Sequence, residues 1–116
     1  MSTEIRLTDD ADYMLCVLYD AYRARRKNGE SSFESRLFGG SECIQRDYIQ
    51  QWSTDDIDDA ALELSKNGLA SCLFADNTLS EFALERDGIA FMEHRFGDKL
   101  DTLSQRIAAL RSMFFG

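Results

Sequence analysis

The chain has 116 residues, of which 44% are hydrophobic and 29% charged, and a formal net charge of −8. That is enough for one domain with a real core, burying roughly two-thirds of the surface its unfolded form exposes, and it excludes wholesale disorder. An acidic balance repels phosphate backbones and anionic lipid at long range, so a role on either needs a local basic patch.

No window approaches the roughly 18 apolar residues of a membrane span. Residues 1 to 10, MSTEIRLTDD, lack the apolar stretch of a secretory leader. Cys16, Cys43 and Cys72 are odd in number and contain no CxxC spacing, the pattern of reduced thiols that serve as partly buried small hydrophobes. These features predict a cytoplasmic protein with no membrane contact.

A first helix is predicted over about Asp9 to Asn28. Thr8 is its N-cap, and Asp9, Asp10 and Asp12 favour the positive end of the helix dipole. Ala11, Met14, Leu15, Leu18, Ala21 and Tyr22 form its apolar stripe. Arg23, Arg25, Arg26 and Lys27 load the last turn before the Asn28-Gly29 stop. Residues 29 to 41, GESSFESRLFGGS, read as a connector, with Phe33, Leu37 and Phe38 tucked against the core in a short helical turn. A second helix is placed at about Ser41 to Gln51, with Ile44, Tyr48 and Ile49 inward.

The third helix starts at the N-cap Ser53, with Asp56 three residues on in a variant of the capping box. Ile57, Ala60, Ala61 and Leu64 form its inner face, Asn67-Gly68 closes it, and Trp52 is a half-buried anchor between helices two and three. Leu69 to Ala75 and Thr78 to Leu84 read as strands joined at Asp76-Asn77. Leu69, Leu73, Leu79 and Phe82 are expected to face the core, with the register left open. A fourth helix, about Glu85 to Phe96, carries Ile89, Met92 and Phe96 and is broken by Gly97. The last helix, about Asp98 to Phe114, spaces Leu100, Leu103, Ile107, Leu110 and Phe114 in a coiled-coil rhythm.

The order is three helices, a hairpin and a helix. Leu64-Ser65-Lys66-Asn67-Gly68-Leu69 ends the third helix, and Leu84-Glu85-Arg86-Asp87-Gly88-Ile89 leads from the second strand into the fourth. Together these motifs resemble the winged-helix superfamily, and residues 53 to 96 look similar to small YjcQ-like bacterial and phage proteins. The resemblance covers roughly residues 9 to 96. It implies a mainly α, α+β winged helix-turn-helix at residues 1–97 and an extra C-terminal helix at 98–116, packed on the domain or forming a dimer seam.

The superfamily's DNA binders place the start of helix three in the major groove and the wing near phosphates. Here helix three opens with Asp55, Asp56, Asp58 and Asp59. Over residues 53 to 76, Glu63 and Asp76 add to the acids and Lys66 is the only base. The wing tip Asp76-Asn77-Thr78 has no cation. Phosphate contacts by Lys and Arg supply most DNA affinity, so this surface argues against duplex binding.

The expected role is therefore a non-enzymatic regulatory or interaction module acting through protein contacts. Asp55, Asp56, Asp58 and Asp59 would form an acidic partner-binding face. Leu100, Leu103, Ile107, Leu110 and Phe114 would form the seam of a homodimer, or else pack on helix one of the same chain. The alternative is a DNA-binding transcriptional regulator. Arg23, Arg25, Arg26 and Lys27 are the alternative basic contact, although dipole compensation also accounts for them.

Catalysis finds little support. His94, the only histidine, stands between Glu93 and Arg95, and no cysteine spacing suggests a partner for it. The aspartates lack the EF-hand spacing, and Gly39-Gly40 is not followed by the Lys-Ser/Thr of a phosphate loop. No cofactor or metal is expected.

Overall fold

The structure is a computed structural model describing residues 4–115. Residues 1–3 and 116, which the domain limits given above include, lie outside the described part. In chain order the elements are α1 (Asp9–Lys27), α2 (Ser32–Ser35), β1 (Leu37–Gly39), α3 (Ser41–Asp47), α4 (Thr54–Lys66), β2 (Ala70–Ala75), β3 (Thr78–Leu84), α5 (Arg86–Phe96) and α6 (Leu100–Phe115). This is an α+β fold, mainly helical, with one antiparallel sheet in the order β1-β3-β2.

Local chemistry sets the element ends. Thr8 Oγ1 accepts from the Ala11 amide at 3.2 Å and opens α1. Gly29, at φ +92°, lets the chain leave α1 at the other end. The face of α1 bearing Ala11, Met14, Leu15 and Leu18 is fully buried, so this helix is the axis on which the other elements pack.

Residues 29 to 41 are more ordered than a connector. Ser31 Oγ accepts from the Glu34 amide and caps the single turn of α2. The chain then adds a third strand to the hairpin, with Leu37 opposite Ala83 and Gly39 opposite Phe82 across an irregular register. This pairing decides which side chains go inward. The pleat points Phe38 into the core and turns Leu37 outward, while Phe33 on α2 is 61% exposed. Of the three apolar residues expected to tuck in, only Phe38 does so.

The second expected helix is shorter than 41–51. α3 stops at Asp47, the Ile49 amide donates back to Ile44 O, and Gln45 Nε2 donates to Trp52 O at 2.7 Å. These bonds hold residues 48–53 in an irregular path that puts Ile49 and Trp52 in the core while Gln50, Gln51 and Ser53 stay exposed. Ser53 Oγ then accepts from the Asp56 amide at 3.2 Å and starts α4.

The hairpin turns at Asp76 and Asn77, with φ of 52° and 64°. Left-handed backbone at both positions matches the right-handed strand twist, and Asp and Asn tolerate it better than most residues. The register is Ala70 opposite Leu84 and Ala75 opposite Thr78, with a shift between Leu73 and Phe74. Ala70 is inward, so Cys72 and Phe74 follow it on the inner side. Leu73 falls on the outer side at 61% exposure, contrary to the inward place expected for it.

α5 returns against the hairpin at Gly88, where a Cβ would overlap the Leu69 carbonyl oxygen. Backbone atoms cannot swing aside as a side chain can. Gly88→Ala is therefore expected to lose about 1–3 kcal/mol despite its better helix propensity. Urea unfolding checks this; an unchanged or raised midpoint contradicts it.

α6 lies along α1 and contributes Leu103, Ile107 and Leu110 to the same core. These three residues of the supposed dimer seam are buried within the chain, at 9% exposure or less. Leu100 is 47% exposed, and Phe114 rests edge-on against Tyr13 and Trp52, each at 5.6 Å between ring centroids. The stripe therefore has no continuous free surface for a second copy. Phe115 also packs on Tyr13, while Met113 stays 60% exposed.

The three helices α1, α5 and α6 meet at a buried charge. Asp12 is 5% exposed. Arg95 of α5 donates to both its oxygens, at 2.5 and 3.0 Å, and Arg106 of α6 donates twice to Oδ2, at 3.0 and 2.8 Å. Burial opposes charge on Asp12, but these hydrogen bonds and the two guanidinium charges outweigh it and hold the carboxyl below its ordinary range.

Candidate functional site

The acidic face of α4 exists, with one member removed from it. Asp55, Asp56 and Asp59 are exposed. Asp58 is half-buried, and its Oδ1 accepts from the Leu79 amide at 3.2 Å. That bond ties α4 to β3, so Asp58 is a strut between helix and hairpin and not part of a free partner-binding surface.

The first turn of α1 extends the face, which the sequence did not reveal. Glu63 on α4 accepts from both the amide and the hydroxyl of Thr8 at 2.7 Å, fastening the cap of α1 to α4. This brings Asp9 and Asp10 toward Asp56. The Asp10 carboxyl is raised above its ordinary value, first by partial burial and then by repulsion from Asp56, Asp9 and Glu63. Arg106 reaches Asp9 at 3.9 Å, while Asp10, Asp55, Asp56 and Asp59 form no ion pair among the described residues. No three His, Cys, Asp or Glu side chains among the described residues are arranged to hold a metal ion.

The basic cluster at the end of α1 does not survive as one surface. Arg25 turns inward: it donates to Leu37 O at 2.6 Å and to the Tyr48 hydroxyl at 2.9 Å, and lies 4.4 Å from the centre of the Phe38 ring. It brackets α1, β1 and the end of α3. Arg23 donates to Gly97 O at 3.0 Å and to the Tyr19 hydroxyl at 3.1 Å. Arg26 and Lys27 remain exposed. Arg25 is therefore engaged by the fold, while Arg26 stays exposed, so the two do not present one shared basic surface.

Instead, Arg26 joins two arginines that sequence reasoning passed over. It lines a cleft of about 580 Å³ with Arg36, which stands between α2 and β1, and Arg86, the first residue of α5. Tyr22, Asp87 and Glu93 also line it. The three arginines lie on different parts of the fold, and nothing in their spacing announces that they line one cleft.

The remaining candidates are dispersed. His94 is exposed on α5. Burial and then the charge of Asp12 push the Cys16 thiol up to about 12, and burial pushes Cys72 up to about 11. Neither thiol is poised as a nucleophile at neutral pH. No helix among the described residues is long and apolar enough to cross a membrane. No protein-family model, curated protein or solved structure gives a significant match to this chain.

Proposed function

We propose that the chain is a winged-helix interaction module that binds a basic protein surface through Asp10, Asp55, Asp56 and Asp59, performs no catalysis, and does not grip duplex DNA. Its support is topological and electrostatic. Apart from the single turn of α2, a helix, a short strand, two helices and a hairpin follow one another as α1, β1, α3, α4, β2 and β3. On this reading α4 would correspond to the recognition helix of winged-helix DNA binders.

The observation that carries the reading is that Asp10, Asp55, Asp56 and Asp59 are exposed on one side of the fold and form no ion pair among the described residues. Asp10 is held above its ordinary pKa first by partial burial and then by Asp56, Asp9 and Glu63. A phosphate backbone would add to this repulsion, whereas lysines or arginines would relieve it.

The test uses two probes, a Lys/Arg-rich peptide and mixed-sequence duplex DNA, followed by fluorescence anisotropy at low salt. The peptide should bind with strong salt dependence. Asp55→Asn, Asp56→Asn and Asp59→Asn combined should weaken it about tenfold, since each exposed pair contributes ~0.2–1 kcal/mol. Glu30→Gln, Glu34→Gln and Asp98→Asn combined remove equal charge from exposed positions elsewhere and should have much less effect. Equal weakening by both triple variants overturns the assignment to this face. Tight, salt-sensitive binding to the duplex favours a DNA-binding regulator instead.

A further inference from the structure

We infer that the cleft between α1, the α2–β1 junction and α5 is a binding site for the phosphoryl group of a small phosphomonoester. The cleft is lined by three arginines, Arg26, Arg36 and Arg86, in a chain whose formal net charge is −8. Like charges converge at a folding cost unless something else holds them or a counter-ion joins them. Among the described residues none of the three forms an ion pair.

The arginines differ in how they are held. Arg36 is fixed, with Nε donating to Ser32 O at 3.3 Å and Nη1 to Leu84 O at 3.1 Å, while Nη2 has no partner among the described residues. Its plane is therefore set before any ligand arrives, which lowers the entropy lost on binding. Arg26 uses Nη1 on Glu30 O, and Arg86 makes no hydrogen bond among the described side chains, so both can swing onto a ligand.

The number of donors selects the ligand's chemistry. A carboxylate offers two oxygens in one plane. A phosphoryl group offers three oxygens and up to two negative charges, matching donors on three arginines from different parts of the chain. Asp87 and Glu93 on the same wall repel a bare anion in part and can accept from hydroxyl groups. A phosphate ester carrying hydroxyls beyond the phosphoryl group satisfies both sides of the cleft, and the cavity volume lies in the range of small-molecule sites.

The experiment is an amide chemical-shift titration of the whole chain with inorganic phosphate and with glycerol 3-phosphate, at constant ionic strength against a chloride control. Both probes should give saturable shifts around residues 26, 36 and 86, the ester binding more tightly. Arg86→Gln should weaken both by about tenfold or more, the loss expected for one charge-assisted contact. Arg86 holds no other part of the chain by a side-chain bond, so this variant keeps the fold; Arg46→Gln, an exposed arginine paired only with Asp47, should bind as the parent does. Shifts no larger than chloride gives, shifts that never saturate, or equal affinity in Arg86→Gln each overturn the site. These readouts do not involve the α4 face, so this inference and the proposed protein contact can fail separately.

Discussion

Asp12→Asn is expected to destabilise the chain by about 3–5 kcal/mol at neutral pH, because it removes the one carboxylate that two arginines surround. The loss is large for two reasons. Asp12 is 5% exposed, while Arg95 and Arg106 keep 30% and 38% side-chain exposure, so water replaces the lost partner only in part. Arg95 and Arg106 arrive from α5 and α6, so the substitution leaves Arg95 without a carboxylate and Arg106 with only the more distant Asp9, and it loosens both helices from α1. With a typical total stability of about 5–15 kcal/mol, much of the margin disappears.

The pH dependence of that loss identifies its source. The folded-state pKa of Asp12 lies below its unfolded value, so its contribution is fully present above about pH 4 and is lost as pH falls through the folded pKa. Between the two values the unfolded chain binds the extra proton, and parent stability falls with falling pH. Asp12→Asn lacks this slope, so the gap between parent and variant should narrow steadily below about pH 4. Urea midpoints measured from pH 7 down to acid check both statements. A small loss at pH 7, or a gap that stays constant into acid, contradicts the assignment.

The same residue shows why some of the structure was legible and some was not. As sequence, Asp12 is the third acid in the first turn of a helix, and dipole compensation accounts for it fully. Its partners lie more than eighty positions away, and no local rule points to them. Arg25 misleads in the same way: a last-turn cation reads as dipole chemistry, yet its side chain brackets β1 and Tyr48. Turns and caps were legible because their causes are local. Thr8, Ser53 and the Asp76-Asn77 pair act on backbone within three residues, and α1, α4 and the hairpin begin and end close to where those residues place them. β1 was missed because a strand of three residues has no measurable periodicity; pairing with β3 creates it. The acidic face was half legible, since its α4 members adjoin in sequence while Asp10 joins them only when Glu63 fastens Thr8 to α4.

Leu103→Asp and Ile107→Asp are expected to unfold the chain or reduce it to a marginal state, not to convert a dimer into a stable monomer. The spacing of α6 fits either a seam between copies or a stripe packed at home, because both need an apolar residue every three or four positions. Burial separates them. Leu103 is 1% exposed and Ile107 9% within a single chain, so a carboxylate at either site enters the core without a partner. Loss of the apolar side chain alone costs about 2–5 kcal/mol, and the unpaired charge adds to it. Leu100→Asp is the control: at 47% exposure it should change stability by no more than about 0.5 kcal/mol. Circular dichroism with light-scattering mass on all three variants decides the matter. Folded Leu103→Asp or Ile107→Asp at half the parent's mass would restore the seam. Loss of tertiary structure in both, beside an intact Leu100→Asp of parental mass, places the stripe in the core of one chain.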